Sequence, residues 1–240
     1  LRGKAYLKDR IAERVALNPA LLPYHPGLLD YLKLQREAGR GLYLATASNH
    51  RYAQAVADHL GIFDGVVASD PVHNLSGRSK LVEINSLCPD GFVYAGNGRV
   101  DEPIWASAQA AILVNAPAAV AARVTASKPV EAEFAAARAG LKPWFEAIRP
   151  HQWLKNLLVF LPLLPIATTA SPSMAGMALL AFAAFCLCAS SVYLLNDLAD
   201  LEVDRAHPRK SKRPFASGSL PPLSGLLLAP LLLVSAFALT

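Results

Sequence analysis

A chain of 240 residues with 53% hydrophobic side chains, 17% charged ones and a net charge of +5 can hold one large domain or two small ones, and its composition excludes a disordered or fibrous protein. Three cysteines carry neither disulfide-framework nor metal-ligand spacing, and all three read as packing residues. The averages conceal two materials. Residues 1–148 mix charged and apolar side chains as a globular domain does, whereas residues 156–240 are mostly uncharged apart from a dense polar loop at 197–213. No signal peptide is visible. The start at Leu1 and the end within an apolar run read as a fragment cut at both ends.

In chain order, residues 24–38 have the apolar spacing of a helix through Leu28, Leu29, Leu32 and Leu34, stopped by Gly39–Arg40–Gly41. Residues 42–46 form a short apolar run, read as a buried strand, and residues 49–60 are again helical. Residues 66–68 and 91–95 read as further strands, 101–110 as a helix and 111–114 as a fourth strand. This alternation predicts an α/β domain with a doubly wound parallel sheet over residues 1–118. Polar residues follow the strands, where open α/β sheets bind ligands. Thr46, Ser48 and Asn49 open a helix and can hold a phosphate through hydroxyls and helix N–H groups. Lys80 can neutralise that phosphate, and Asn97 and Asp101 follow the third strand, where Asp101 can reach a metal.

Residues 119–148 read as an Ala-rich linker with a helix over 131–140 ending at Gly140. Trp144, Phe145 and Ile148 are placed on an amphipathic helix, against a membrane surface or packed on the soluble domain. From residue 149 the chain reads as transmembrane. Residues 157–170, with Pro162, Pro165 and the interfacial anchor Trp153, make a kinked first span; a turn follows at 171–173. Residues 174–195 are long enough to cross a hydrocarbon core of ~30 Å. Residues 220–240 make a third span, broken near Pro221–Pro222 and Pro230. The turn near 172 lacks Lys and Arg, whereas the 205–213 loop carries five, so the N-terminal domain and the polar loop are expected on the cytoplasmic side of a multi-pass, bacterial-type inner-membrane protein. Placed between apolar segments, that basic cluster is a poor match to a nucleic-acid partner.

The run at 196–205 carries the chemistry. On a helix at about 100° per residue, Asn196, Asp197, Asp200 and Asp204 fall at roughly 0°, 100°, 40° and 80°, a single face where an apolar segment ends. Three carboxylates on one stripe repel one another unless a cation joins them. Mg²⁺ takes a few carboxylates, keeps waters and completes its shell with substrate phosphates. The pattern therefore points to a Mg²⁺-bound diphosphate at the membrane surface. Lys155, Arg209, Lys212 and Arg213 supply donors to phosphate oxygens; Lys155, Arg205 and Arg213 are the candidate catalytic cations, and Lys155 and Arg205 read equally well as snorkelling or interfacial ones.

The motif Asn196-Asp197-x-x-Asp200-x-x-x-Asp204-Arg205 resembles the first aspartate-rich motif of the UbiA prenyltransferase superfamily. Two further stretches are similar to that superfamily. Arg149-Pro150-His151-Gln152-Trp153-Leu154-Lys155-Asn156 looks like the start of the first membrane helix in the polyprenyl-phosphate phosphoribosyltransferase branch, and residues 210–218 look like its basic loop. The resemblance implies an all-α intramembrane fold, here its first helices only, with Asn196, Asp200 and Asp204 as metal positions. It also implies Mg²⁺ as cofactor, a polyprenyl lipid or polyprenyl phosphate and a diphosphate-containing donor as partners, and diphosphate as leaving group. The superfamily's second aspartate-rich motif does not occur in these residues, so half a site and no turnover are expected of the segment alone.

The N-terminal pieces, in their order, resemble the second, third and fourth motifs of the haloacid dehalogenase superfamily, mostly phosphatases, with residues 1–23 as part of a helical cap. Two departures weaken a phosphatase reading: no Asp-x-Asp nucleophile motif is present, and Asn97 stands where the fourth motif carries Asp. The expected function is a Mg²⁺-dependent membrane transferase fused to a phosphatase-like domain. The alternatives are a membrane-tethered phosphatase or a non-enzymatic module that binds phosphorylated lipid.

Overall fold

The computed structural model describes residues 3–135, 140–165 and 171–239. The chain divides into two compact units, Leu1–Arg138 and Ala139–Thr240.

Unit 1 is α/β. Helices α1 (Lys4–Arg14), α2 (Pro26–Glu37), α3 (His50–Leu60), α4 (Arg78–Leu87), α5 (Glu102–Ser107) and α6 (Ala118–Ser127) alternate with strands β1 (Tyr43–Asn49), β2 (Gly65–Ser69), β3 (Val93–Gly96), β4 (Ala110–Val114) and β5 (Val130–Phe134). All strand pairs are parallel, but the strands form two sheets, β1–β2 and β3–β4–β5. Capping sets the helix ends. The Asn49 side chain accepts from the Arg51 N–H at 2.9 Å to open α3, and Gly61, in the left-handed region at φ 64°, closes it. The core centres on Ile104, Trp105 and Leu113, all essentially inaccessible, with Ile84, Val120 and Val124 around them. Burying each such side chain stabilises the fold by about 1.5–3 kcal/mol.

The stretch read as a linker is largely built into this unit. Residues 118–127 form α6, and residues 130–134 form a strand rather than the start of a helix. The period-2 alternation Val130, Ala132, Phe134 against Glu131, Glu133 was in the sequence, masked by the Ala-rich run after it. The two glutamates face out from the sheet edge, and Glu131 pairs with Arg40 and accepts from the Tyr31 hydroxyl. The later part of the expected 131–140 helix includes residues outside those described.

Asp70 and His73 form an exposed surface pair, Nδ1 to Oδ2 at 2.9 Å. The hydrogen bond from His73 lowers the Asp70 carboxyl from 3.8 to about 2, and the Asp70 bond raises the His73 imidazole above its ordinary value of 6.5. The imidazole's contribution is complete below pH 6.5 and is lost as pH rises through its raised pKa. The carboxylate's is complete above pH 3.8 and is lost as pH falls through about 2. NMR titration is expected to place the His73 midpoint above 6.5, and Asp70→Asn to return it there; an unchanged midpoint in that variant would refute the pairing.

Unit 2 is helical: α7 (Leu141–Ile148), a 3₁₀ segment Pro150–Leu163, α8 (Pro172–Ala199), α9 (Leu201–Ala206) and α10 (Pro222–Ala238). Ser171 caps α8 by accepting from the Met174 N–H at 3.3 Å, so the expected turn at 171–173 is the beginning of this helix. With 28 residues and a mean hydropathy of 2.2, α8 is the one described helix long and apolar enough to cross a membrane. The first expected span is 3₁₀ over its described part, and residues 166–170 of that expectation lie outside those described. Its pairings with α8 run Trp153 to Ser190, Asn156 to Cys186 and Phe160 to Phe182. Three residues of a 3₁₀ helix and four of an α-helix both advance about 6 Å, which fits the first step of that register. The expected break at Pro230 does not occur; α10 runs through it. The Ser191 hydroxyl donates to the Ala229 carbonyl at 2.7 Å, binding α8 to α10 beside that proline.

Candidate anion and carboxylate site in the helical unit

The site lies where α8 ends. At Asp200 the backbone leaves helical geometry (ψ 10°) and α9 restarts, so the four oxygen-bearing residues are not one continuous stripe. Asp197 and Asp204 are buried, at 3% and 1% exposure, whereas Asn196 and Asp200 are exposed. Among the described residues no three His, Cys, Asp or Glu side chains converge to hold a metal ion. Arginines stand between the acids instead. Arg213 Nη1 donates to Asp197 Oδ1 at 3.1 Å and to Asp204 Oδ2 at 2.6 Å. Arg149 Nη2 donates to Asp197 Oδ1 at 2.5 Å and lies over the Tyr193 ring, 5.0 Å from its centroid. Two buried carboxylates at close quarters repel each other, and two guanidinium groups offset that repulsion.

Arg149 occupies left-handed space (φ 51°) at the C-terminus of α7, an uncommon state for a residue with a side chain. Such strain persists where surrounding contacts over-determine it, and the double contact with Asp197 and Tyr193 does so. Sequence reading named Arg149 only within a motif, and no local signal marked its conformation. It also did not single out Glu146 and His151, which join Arg149, Asp197, Arg209, Lys212 and Arg213 around a cavity of about 370 Å³. Lys155 is exposed and is not in that lining. Arg205 Nε donates to the Ala216 carbonyl at 3.3 Å, which braces the basic loop.

One buried atom bears on a metal. Asp204 Oδ1 has no hydrogen-bond partner, and Lys210 Nζ stands 3.7 Å away, an ion pair beyond hydrogen-bond reach. A buried carboxylate oxygen without a donor is costly, and a hard cation would satisfy it. A divalent ion would satisfy that one oxygen, while among the described residues no three acids converge on it.

The polar residues of unit 1 sort differently. Lys80 Nζ donates to the Tyr94 hydroxyl at 2.7 Å and lies 3.4 Å from Asp101 Oδ1; Tyr94 donates to the same oxygen at 2.9 Å. Asp101 Oδ2 accepts the backbone N–H groups of Asn97 and Gly98 at 3.1 and 3.2 Å. Burial, and then the Asp101 carboxylate, raise the Tyr94 phenol, so it remains a neutral donor. Lys80 and Asp101 thus come together through Tyr94, which sequence reading missed, while the Asn97 residue is exposed. Thr46, Ser48 and Asn49 lie at the end of β1: Thr46 Oγ1 accepts the Ser48 N–H at 3.1 Å, and the buried Asn49 amide donates across to Asp9 of α1 at 3.0 Å.

Comparison with known proteins bears on both units. Residues 156–240 match the model of the UbiA prenyltransferase family, and residues 2–104 that of the haloacid dehalogenase-like hydrolases. The chain carries a UbiA-family domain in its C-terminal part and a haloacid dehalogenase-like domain at its N-terminus. One relative, uncharacterized protein y4nM of Sinorhizobium fredii, is 36% identical over 227 residues, covering 94% of this chain and 44% of the relative. The decaprenyl-phosphate phosphoribosyltransferase of Mycolicibacterium smegmatis is 44% identical over 99 residues, 40% of this chain and 31% of that enzyme. Nodulation protein NoeC of Azorhizobium caulinodans is 45% identical over 91 residues, 38% of this chain and 29% of that protein. The chain therefore spans less than half the length of these relatives. The arginine-clamped aspartates, the basic loop and α8 all lie inside the UbiA-family domain, and the Lys80–Tyr94–Asp101 cluster lies inside the haloacid dehalogenase-like one. Arg149 lies seven residues before the matched UbiA range begins.

Proposed function

We propose that this protein is an integral-membrane, Mg²⁺-dependent transferase of the UbiA type, acting on a polyprenyl or polyprenyl-phosphate substrate with diphosphate release, joined to a phosphatase-like domain. The observation that carries this reading is the buried Asp197–Asp204 pair at the end of an apolar helix, held by Arg213 and Arg149, with Asp197, Arg149 and Arg213 lining a cavity together with Arg209 and Lys212. The sign and density of charge suit a diphosphate, and the adjoining apolar helix suits a lipid. The similarity to a decaprenyl-phosphate phosphoribosyltransferase supports the phosphoribosyl branch over aromatic prenylation.

Arg209 and Lys212 bind and orient the diphosphate; Arg149 and Arg213 exchange part of their hold on the aspartates for phosphate oxygens as it enters. Asp204 with its free oxygen, Asp197, and the exposed Asp200 and Asn196 would hold Mg²⁺. When bound, that ion neutralises the leaving diphosphate. Lys155, exposed on the 3₁₀ segment, would meet a lipid phosphate at the membrane surface. The basic 205–213 loop and the N-terminal domain face the cytoplasm of a multi-pass protein.

The test is turnover by the intact parent protein in nanodiscs supplied with Mg²⁺, polyprenyl phosphate and phosphoribosyl diphosphate. Diphosphate release that requires lipid, metal and Asp200, with Asp200→Ala lowering the rate at least 100-fold, is the expected result. Release only with prenyl diphosphate and an aromatic acceptor would move the reading to the prenylating branch. Silence with every donor, in folded protein, would leave a phosphorylated-lipid binding module.

A further inference from the structure

Helix α7 has eight residues and advances ~12 Å, too little to cross a hydrocarbon core of ~30 Å, yet it exposes two large apolar side chains. Leu141 is 73% exposed and Phe145 56%. At about 100° per residue the helix has three faces. Trp144 and Ala147, at about 300° and 240° from Leu141, join a cluster with Leu194 of α8, Phe215 and Leu220. Lys142 and Glu146, at about 100° and 140°, are exposed and pair with each other at 3.9 Å. Phe145 and the half-buried Ile148 lie within about 40° of Leu141 and make the third face, which is apolar and open.

Hydrogen bonds to α8 set the depth of this helix. The Ser190 hydroxyl donates to the Ile148 carbonyl at 2.8 Å and accepts from the Trp153 indole N–H at 3.0 Å. Ser190 stands seven residues before Asp197 on α8, so the end of α7 lies ~10 Å farther from the polar end of that helix than the carboxylate does. Arg149 spans the difference. Its guanidinium passes over the Tyr193 ring and reaches Asp197, as a long cationic side chain does when its backbone sits in an apolar layer. Val192 and Leu195, on the polar side of Ser190, are still exposed apolar residues, so the open surface of α8 continues past the level at which α7 ends. The charged face of α7 turns toward the site instead: Glu146 lines the cavity that holds Asp197, Arg209 and Lys212.

We propose that α7 lies in the plane of the bilayer, at the boundary of headgroups and acyl chains, with Leu141 and Phe145 in the acyl layer and Lys142 and Glu146 in the headgroup layer. Its three faces match the three surroundings of such a helix: protein, hydrocarbon and water. A second copy of the chain is the poorer occupant. Two side chains of a short helix offer well under the ~800 Å² per partner that a stable protein interface buries. The bilayer needs no such area, because α8 already brings it alongside. The anchor also fixes the height of Arg149, the next residue, and so of the Asp197 contact, relative to the membrane surface. This inference shares with the proposed function only the crossing of the membrane by α8; the transfer chemistry can fail while it stands.

The test is spin-label accessibility on the intact parent protein in phosphatidylcholine–phosphatidylglycerol nanodiscs. Leu141→Cys, Lys142→Cys, Phe145→Cys and Glu146→Cys are labelled one at a time with a nitroxide, in a background of Cys88→Ala, Cys186→Ala and Cys188→Ala. Collisions with oxygen are expected to exceed those with a water-soluble nickel chelate by about threefold or more at 141 and 145, and the order to reverse at 142 and 146. Nickel reaching all four positions would put α7 in water and overturn the proposal. Oxygen dominating at all four would sink it wholly into the acyl layer, and neither reagent reaching 141 and 145 would assign that face to a protein contact; both results overturn it as well. A label at Phe185, exposed on α8, reads separately whether α8 is in lipid, so failure of the membrane reading is told apart from failure of this one. A second measurement leaves the cysteines in place. Benzoylphenylalanine at position 145 is expected to photo-crosslink to phospholipid and at 146 not to; absence of lipid adducts at 145 would refute the anchor.

Discussion

Arg213→Ala is expected to unfold the end of α8 locally and to abolish diphosphate binding. Among the described residues, the substitution removes the one group that touches both Asp197 and Asp204. Breaking a buried ion pair from one side costs about 3–5 kcal/mol, because the remaining charge stays buried. Arg213 is 29% exposed, so the lower end of that range applies. Circular dichroism melts in detergent check the loss of stability, and calorimetry with inorganic diphosphate and Mg²⁺ checks binding. A second protein separates charge from structure. Asp204→Asn combined with Arg213→Ala removes the repelling carboxylate along with its clamp while Asp197 keeps Arg149, and is expected to recover most of the stability and none of the binding. Should Arg213→Ala melt as the parent does, the clamp contributes nothing and the site reading fails with it.

Phe215→Ala is expected to be the most destabilising single truncation in the helical unit, at about 3–5 kcal/mol. The ring has no exposed surface and shares a cluster with Leu194 of α8, Ala229 of α10 and Leu220. It also lies two residues after Arg213, so its cavity would release the loop that aims the guanidinium at the aspartates. The fit from the opposite side is equally close: a Cβ added to Gly225 would lie 2.5 Å from Phe215 Cζ. Gly225→Ala is therefore expected to cost about 1–3 kcal/mol by overpacking. Thermal melts rank the variants, and diphosphate affinity should fall with both. Loss of stability with unaltered affinity would show that the ring does not position Arg213.

Local patterns made much of unit 1 legible. Helix α3 could be read from Asn49 to Gly61 because both caps are sequence features, and strands 66–68 and 111–114 stood out as short apolar runs. Strand β5 was lost although its alternation was present, because the Ala-rich context outweighed a five-residue signal. Helix α4 was not read, having a weak apolar face. In unit 2 the long span was evident from hydropathy, and the acidic run marked the site. Its internal arrangement was not evident. An even helical spacing of Asn196, Asp197, Asp200 and Asp204 assumes one unbroken helix, and the break at Asp200 divides them into buried and exposed pairs.

The sequence by itself determined the two-part character of the protein, the α/β alternation, the apolar helix and the presence of acids and bases near its end. Those properties are written in neighbouring residues, through periodicity, capping and hydropathy. Only the tertiary structure decided that Arg149 and Arg213 clamp Asp197, that Arg213 also holds Asp204, and that Tyr94 joins Lys80 to Asp101. Those partners stand 48, 16, 9, 14 and 7 residues apart respectively. Which charge meets which is fixed by how helices and strands pack, since desolvation makes each buried carboxylate depend on whatever cation or hydroxyl the fold brings to it.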